Sequence, residues 1–296
     1  MKKMLIGAHT LQYAFALTEK ELGLVSHLKE LGCETIEFCP LDLESFPAAK
    51  FQRAALDAGF KNWSMGYGMP RDCNIISPDP EERRKGIEQS KLLIDKAMEL
   101  DASVLGGMMY AGWGYTTGHM PTQEEWNLAV EYFSEIAVYS WKQNPGLVLG
   151  IEPVQRGESH FINTLGRARQ FALEFARRGV PVVKVHADSF HMIREEDSFR
   201  DALLEAGAYL RHFHACENQR GIPGTGLVPW PELMKALRCI GYSGSMIIES
   251  FDPEMEEIAA QTQMWRKFAS PDQLVSEGLR FLKGLRQAYY PESCPD

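Results

Sequence analysis

Leu147-Val148-Leu149-Gly150-Ile151-Glu152-Pro153 is a short apolar run that ends in a carboxylate and is stopped by proline. A run of strand length with no polar alternation reads as a strand buried on both faces, as in parallel sheets. Further on, Asn163-Thr164 offers a side-chain cap to an amphipathic stretch that ends near Arg178-Gly179, a helix start and stop. The next apolar run, Val182 to Asp188, follows Pro181 and again ends on a charge. Strand, helix and strand in that order form one βα unit with its successor.

Outward from this unit the pattern recurs in both directions. Strand-like runs begin near Met4, Thr35, Asn62, Ser103, Leu147, Val182, Leu210 and Ser245, roughly 34 residues apart. Helices are expected between them. One starts at Thr18, whose Glu21 completes a capping box, and stops at Gly32; another covers about Phe46 to Ala58. Ser77-Pro78-Asp79-Pro80 opens a long one to about Leu100, and Thr122 opens the next with Glu125 as its box partner. Later helices cover Phe199 to Ala206, Pro229-Trp230-Pro231 to about Ile240, and Pro271 to Leu285 with Ser270 as cap. Eight such units most economically close into a single-domain α/β fold, a (β/α)8 TIM barrel over residues 1–290, with 291–296 as a disordered tail. No G-x-G-x-x-G follows the first strand, which sets a doubly wound sheet aside.

The chain has 296 residues, 45% hydrophobic and 24% charged, a globular composition that excludes disordered and collagen-like classes. Lys and Arg number 31 against 40 Asp and Glu, a net charge of −9. A field of that sign repels phosphate backbones, so no nucleic-acid partner is expected. No apolar run approaches the ~18 residues needed to cross a bilayer, so no membrane partner is expected either. Met1-Lys2-Lys3 has a basic start, but the apolar run after it is too short for a signal peptide. It reads as a first strand in a cytoplasmic protein. The cysteines at 33, 39, 73, 216, 239 and 294 form no C-x-x-C pair and read as free thiols.

In a barrel of this kind the chemistry lies at the C-terminal ends of the strands. Strand 2 carries Glu37, strand 5 ends on Glu152, and strand 6 ends His186-Ala187-Asp188 with His191 beyond. Strand 7 reads His212-Phe213-His214 with Glu217 and Arg220 after it, and strand 8 ends on Glu249. Apolar strands have little reason to end in carboxylates unless the charges are paired or bind a metal. Glu152, Asp188, His214 and Glu249 together offer three carboxylates and one imidazole. That donor set suits one hard to borderline divalent ion, Mn²⁺ first, with Mg²⁺ or Co²⁺ as alternatives. Of His212 and His214 only one is expected to face the lumen. His214, nearer the strand's end, is chosen, and His212 is then a packed or rim histidine.

The run His212-Phe213-His214-Ala215-Cys216-Glu217-Asn218-Gln219-Arg220-Gly221-Ile222-Pro223-Gly224-Thr225-Gly226, with Trp230 beyond, resembles the seventh-strand signature of the ketose 3-epimerases. These are the D-tagatose and D-psicose 3-epimerase group of the xylose-isomerase-like barrels. Asp188-Ser189-Phe190-His191-Met192 is similar to their sixth-strand motif. Ile151-Glu152-Pro153 with Glu158, Ile248-Glu249-Ser250-Phe251 and Ser77-Pro78-Asp79-Pro80 match elsewhere, so that the resemblance spans roughly residues 60 to 270. It implies that Glu152, Asp188, His214 and Glu249 bind the metal and that Glu152 and Glu249 form an acid/base pair. It further implies that Glu158, His191 and Arg220 contact a sugar substrate, in a homodimer or homotetramer. Trp113 and Phe251 are expected to wall the site. Epimerising C3 of a ketose needs proton removal beside the C2 carbonyl and return from the other face, which calls for two flanking carboxylates.

Two stretches depart from the family pattern. Ala8-His9-Thr10-Leu11-Gln12-Tyr13 stands where the family carries an aromatic and acidic cluster, and Val185-His186-Ala187 interrupts an apolar run before Asp188. Both bear on which sugar fits, with His9 either lining the pocket or capping a helix. Pro223-Gly224-Thr225-Gly226 lies where barrels often hold phosphate, but the resemblance runs to free sugars, and an unphosphorylated ketose is expected. The same residues are compatible with a 3-oxo-glycoside lyase working with a second subunit, with an aldose–ketose isomerase, and with a non-catalytic sugar-binding barrel. A three-zinc endonuclease is set aside, because Ser64-Met65-Gly66-Tyr67 and Gly106-Gly107-Met108-Met109 carry no histidine.

Overall fold

The structure is a computed structural model that describes residues 3–290. Residues 291–296, expected to form a disordered tail, and Cys294 with them, lie outside the described residues. Eight parallel strands close on themselves in sequence order. They are β1 (Leu5–His9), β2 (Thr35–Phe38), β3 (Trp63–Gly66), β4 (Val104–Gly107), β5 (Val148–Ile151), β6 (Val183–Asp188), β7 (Leu210–Ala215) and β8 (Ser245–Ile248). β1 completes the ring by pairing with β8, Gly7 opposite Ile247. The (β/α)8 barrel read from the strand spacing is therefore the architecture found.

The outer ring comprises α1 (Gly23–Glu30), α2 (Ala48–Asp57), α3 (Pro80–Glu99), α4 (Gln123–Gln143), α5 (Leu165–Ala176), α6 (Ser189–Glu195), α7 (Phe199–Ala206), α8 (Trp230–Cys239), α9 (Glu256–Thr262) and α10 (Pro271–Tyr289). Both capping boxes form. Thr122 and Glu125 exchange side-chain bonds with each other's backbone ahead of α4. Thr18 and Glu21 do the same, but over a 3-10 turn, Glu19–Leu22, that leads into α1. Two helices were not expected. α6 is one of them, and its cap is Asp188, whose Oδ1 accepts from Phe190 N at 2.8 Å. α9 lies in the stretch after β8. Both span seven residues, too few for a 3.6-residue period to stand out.

The apolar core lies between strands and helices. Phe133, Phe171 and Phe175 from α4 and α5 pack with ring centroids 5.0–5.4 Å apart. Each is fully buried, and burying such a side chain stabilises the fold by about 1.5–3 kcal/mol. The ring is also clasped at its seam. Arg286 of α10 pairs with Glu34, which precedes β2, and donates to Met4 O at 2.8 Å. Among the described residues no helix is long and apolar enough to cross a membrane. The described cysteines Cys33, Cys39, Cys73, Cys216 and Cys239 are unpaired.

Inside the barrel the lumen is polar on one side. In β6 and β7, His186 sits opposite His212 and Asp188 opposite His214, after a register shift between Val185 and His186. All four are buried. The expectation that His212 and His214 point opposite ways is therefore corrected. Side chains two residues apart in a strand share a face, and both imidazoles reach the same carboxylate, Glu37.

Candidate active site

A cavity opens where the strands end, and His9, Glu152, His191, His214, Arg220 and Glu249 all line it. Five strands, β1, β5, β6, β7 and β8, thus deliver their last residues, or those just after, to one bowl. Trp113 and Phe251 line it too, as expected, and so does Glu158. A neighbouring open hollow, the outer chamber, shares Trp113, Glu158 and Gln261 with it and adds Arg71 and Gln263.

His214 is the centre of the arrangement. Its Nε2 lies 2.7 Å from Glu37 Oε1. Its Nδ1 lies 3.3 Å from Glu249 Oε1 and 3.6 Å from Glu152 Oε1. A carboxylate on one nitrogen fixes the tautomer and turns the other toward the bowl, the usual support for a metal-binding imidazole. Burial disfavours charge on Glu37, but His212 and His214 outweigh it and hold its pKa well below the ordinary value. Glu37 also accepts from Ser64 Oγ at 2.6 Å, so both its oxygens are engaged. Glu37 was visible as a strand-end charge, yet its role as the acceptor beneath His214 was missed. A buried acid facing a His-x-His strand is the signal that could have found it.

His191 is oriented in the same manner. Gln155 N donates to its Nδ1 at 3.1 Å, which leaves the Nε2 hydrogen facing Asp188 Oδ2 at 3.7 Å and Glu152 Oε1 at 4.0 Å. Glu158 accepts from Trp113 Nε1 at 2.9 Å and from Gln155 Nε2 at 3.1 Å. The tryptophan thus holds an acid as well as forming a wall. Gln155 was not foreseen; its backbone N–H supports His191 and its side-chain amide supports Glu158.

Arg220 lies in the left-handed region at φ 64°, a conformation non-glycine residues adopt only where the surroundings hold it. Its guanidinium stacks 3.7 Å from the Phe190 ring and 4.9 Å from that of Phe251. It donates to Asp188 Oδ2 at 3.3 Å and to Glu249 Oε2 in a very short contact. Expected as a substrate contact, it bridges two carboxylates here. His9 has two of its anticipated roles together. Its Nδ1 accepts from Leu11 N at 3.2 Å, capping a 3-10 turn, while Nε2 faces Glu249 Oε1 at 3.8 Å. Burial keeps it neutral, with its pKa lowered to about 4.

The two glutamates occupy unlike surroundings. For Glu152, burial raises the pKa well above the ordinary value; His214 opposes this, and Glu249 and Asp188 add to it. For Glu249 burial acts the same way, but the charges of His214 and Arg220 outweigh it and the pKa is held well below. Two buried acids whose environments drive them apart are a common mark of an acid/base site.

As a metal centre the bowl has an oxygen-rich donor set. Ligand atoms of Glu152, Asp188 and His191 lie within 4.8 Å of one another, as do those of Asp188, Cys216 and Glu249. His214 Nδ1, buried and without a hydrogen bond, points at the same carboxylates. The expected quartet Glu152, Asp188, His214 and Glu249 is brought together, with His191 beside it. The glycine-rich loop proves to be otherwise engaged. Glu217 is fully buried and accepts from Gly224 N at 2.6 Å and Trp230 Nε1 at 2.7 Å. The loop amide that a phosphate would use is taken by this carboxylate.

The chain is similar to known proteins in sequence and in fold. Residues 25–285 match the model of the xylose isomerase-like TIM barrel family. A D-psicose 3-epimerase of Enterocloster bolteae is 34% identical over 90% of this chain and 87% of its own length. One from Agrobacterium fabrum is 31% identical over 82% of this chain and 83% of its own. The solved D-psicose 3-epimerase of Clostridium cellulolyticum H10 with D-tagatose superposes with a TM-score of 0.86 at 26% identity, covering 95% of this chain and 99% of that one. With its barrel, its strand-end acids and this degree of identity, the chain belongs to the ketose 3-epimerases of the xylose isomerase-like TIM barrel family, which are isomerase-class enzymes.

Proposed function

We propose that this protein epimerises a free ketose at C3, with Glu152 and Glu249 as the acid/base pair. One observation carries the reading. Carboxylates that follow β5 and β8 line one bowl, and His214 Nδ1 lies within 3.6 Å of both. A divalent cation held by Glu152, Asp188, His214 and Glu249 would polarise the C2 carbonyl and lower the cost of removing the C3 proton. Manganese suits this donor set best, with magnesium and cobalt next.

The chain's own groups do the rest. One glutamate takes the proton from C3 and the other returns one to the opposite face. Because the reaction runs both ways, the two exchange roles with the hand of the substrate. His191 offers its Nε2 hydrogen, and Arg220 and Glu158 offer charged groups, to sugar hydroxyls around the bowl. Trp113 and Phe251 supply apolar walls that exclude water from the carbanionic carbon. A cytoplasmic location goes with this reading, supported by the unpaired cysteines. So does a homodimeric or homotetrameric assembly, to be measured by light scattering. The outer chamber beyond Trp113 favours a second reading for the substrate, a ketose carrying a further glycosyl or aglycone group.

The test is proton exchange in D2O with Mn²⁺-loaded protein and D-fructose, D-allulose, D-tagatose, L-ribulose and a glycosylated ketose in turn, followed by NMR. Deuterium at C3 together with the epimer is the expected outcome. Label at C1 or C2 with aldose formation would mean an isomerase. No exchange in any tube, with metal confirmed bound, would overturn the assignment. Glu152→Gln and Glu249→Gln should each lower turnover by about 10²–10⁴-fold, with metal content measured in parallel because both are also proposed ligands.

A further inference from the structure

Below the bowl, at the lumen floor, three imidazoles meet. His186, His212 and His214 are buried, and one ring nitrogen of each lies within 4.8 Å of the others. The rings stand edge to face, His186 with centroids 4.1 Å from His214 and 4.6 Å from His212. Both nitrogens of His186, both of His212 and Nδ1 of His214 are without a hydrogen bond among the described residues, and of these His212 Nε2 lies closest to a carboxylate, Glu37 Oε2 at 2.5 Å. Buried polar atoms are nearly always satisfied, so the other four nitrogens, unsatisfied in one place, call for a ligand.

The wall opposite is cut away for them. A Cβ at Gly106 would stand 2.9 Å from His186 Nδ1, and one at Gly150 would stand 3.2 Å from His186 Cβ. Glu37 supplies the compensating charge and the tautomer. It takes the Nε2 side of both His212, at 2.5 Å, and His214, at 2.7 Å, which leaves their Nδ1 atoms as the ones facing away from it without a hydrogen bond. One acid behind two imidazoles is how metal-binding histidines are commonly oriented.

We propose that His186, His212 and His214 form a second, nitrogen-only cation site at the lumen floor, one that takes Zn²⁺. Tetrahedral zinc on imidazole needs nitrogens about 3.4 Å apart; one nitrogen of each ring already lies within 4.8 Å of the others, and the rings turn in place to bring them to one ion. Three imidazoles favour zinc over magnesium or manganese, which prefer oxygen. The floor shares His214 Nδ1 with the bowl, and one lone pair serves one ion at a time. Floor and mouth are therefore alternative positions, chosen by the chemistry of the metal. Zinc at the floor withdraws a donor from the mouth and opposes manganese there. The inference rests on the proposed epimerase site only through that shared nitrogen.

X-ray absorption at the zinc edge of the metal-free full chain, reloaded with one equivalent of Zn²⁺, tests it directly. Three imidazoles around zinc is the expected result. An oxygen-rich shell with a single imidazole would mean zinc at the mouth and would overturn the proposal, as would failure to bind. His186→Ala should weaken zinc binding by about tenfold or more, while Mn²⁺ affinity, read by electron paramagnetic resonance, stays unchanged. Equal zinc affinity in the variant would also overturn it. If the variant fails to fold, the wild-type absorption spectrum decides alone. Manganese-driven exchange at C3 is scored separately, so loss of one reading leaves the other standing.

Discussion

The barrel wall has a bare half and a charged half. β3, β4 and β5 bring Gly66, Gly106 and Gly150 to the lumen, where a Cβ would strike Glu37 or His186. β2, β6 and β7 bring Glu37, His186, Asp188, His212 and His214, and Glu249 follows β8. A glycine inside a strand costs about 0.5–1 kcal/mol relative to alanine, and a buried titratable group costs more unless it is paired. Each half is thus a poor choice for stability when taken alone. Together they fit: absent side chains on one side make the room that imidazoles and carboxylates fill from the other. Stability comes from elsewhere, from the aromatic layer under α4 and α5.

The sharpest way to break that pairing is at the glycines, which are not equivalent. A Cβ at Gly107 would stand 2.0 Å from Tyr67 O, and its φ of +129° is closed to other residues. A backbone carbonyl cannot yield that much, so Gly107→Ala should cost more than about 4 kcal/mol and leave little folded protein. At Gly106 the obstacle is a side chain, His186, which can turn. Gly106→Ala should cost about 1–3 kcal/mol. Urea unfolding of the two variants checks the order. A Gly106→Ala protein as stable as wild type would show that the bare half is incidental.

The charges at the strand ends were more legible in the sequence than the glycines of the bare half. Apolar runs that stop on Glu152, Asp188 and Glu249 announce themselves, and Ser, Thr and Asp caps mark the helices between. The helix expected at about Phe199 to Ala206 is found there, capped by Ser198 and closed by Gly207, and β7 starts at Leu210, as expected. What failed has physical causes. Asp188 both caps α6 and pairs with Arg220 behind the bowl, so one signal hid another. His186 and His212 were set apart from the site because the period of a strand was misapplied to His212. Glycines facing a lumen carry no signature of their own, since only the neighbour a Cβ would meet reveals the purpose. α9, which brings Ile258 and Gln261 over the bowl, follows a stretch with no capping side chain.

A smaller effect is expected from loosening the charged half without emptying it. Glu37→Gln keeps the shape but removes the charge that His212 and His214 share. Breaking one side of a buried ion pair leaves its partners uncompensated, at about 3 kcal/mol. Paired with His212→Gln the loss should fall well short of the sum of the single changes, because the two share one interaction. Strict additivity in urea unfolding would mean that the floor is not a coupled network.

The smallest effect contrasts this dry network with a wet one of the same chemistry. At the seam, Arg286 Nη2 donates to Glu34 Oε1 at 2.9 Å and Ile6 N to Glu34 Oε2 at 3.1 Å. Burial works against the Glu34 charge, but Arg286 outweighs it and lowers the pKa to about 2. Glu34 is partly exposed, so solvent screens the pair and its worth is about 1 kcal/mol, well below what the shift alone implies. The sign follows from the direction of the shift. A carboxylate whose pKa is depressed on folding stabilises fully above its unfolded value near 4.5, and loses that contribution as pH falls toward 2. Glu34→Gln should therefore be less stable than wild type at pH 7, and the gap should close as pH drops from about 4.5 toward 2. Urea midpoints of both proteins across that range give the answer. A gap that persists at pH 2.5 would assign the seam's stability to the shape of the contact rather than to its charge.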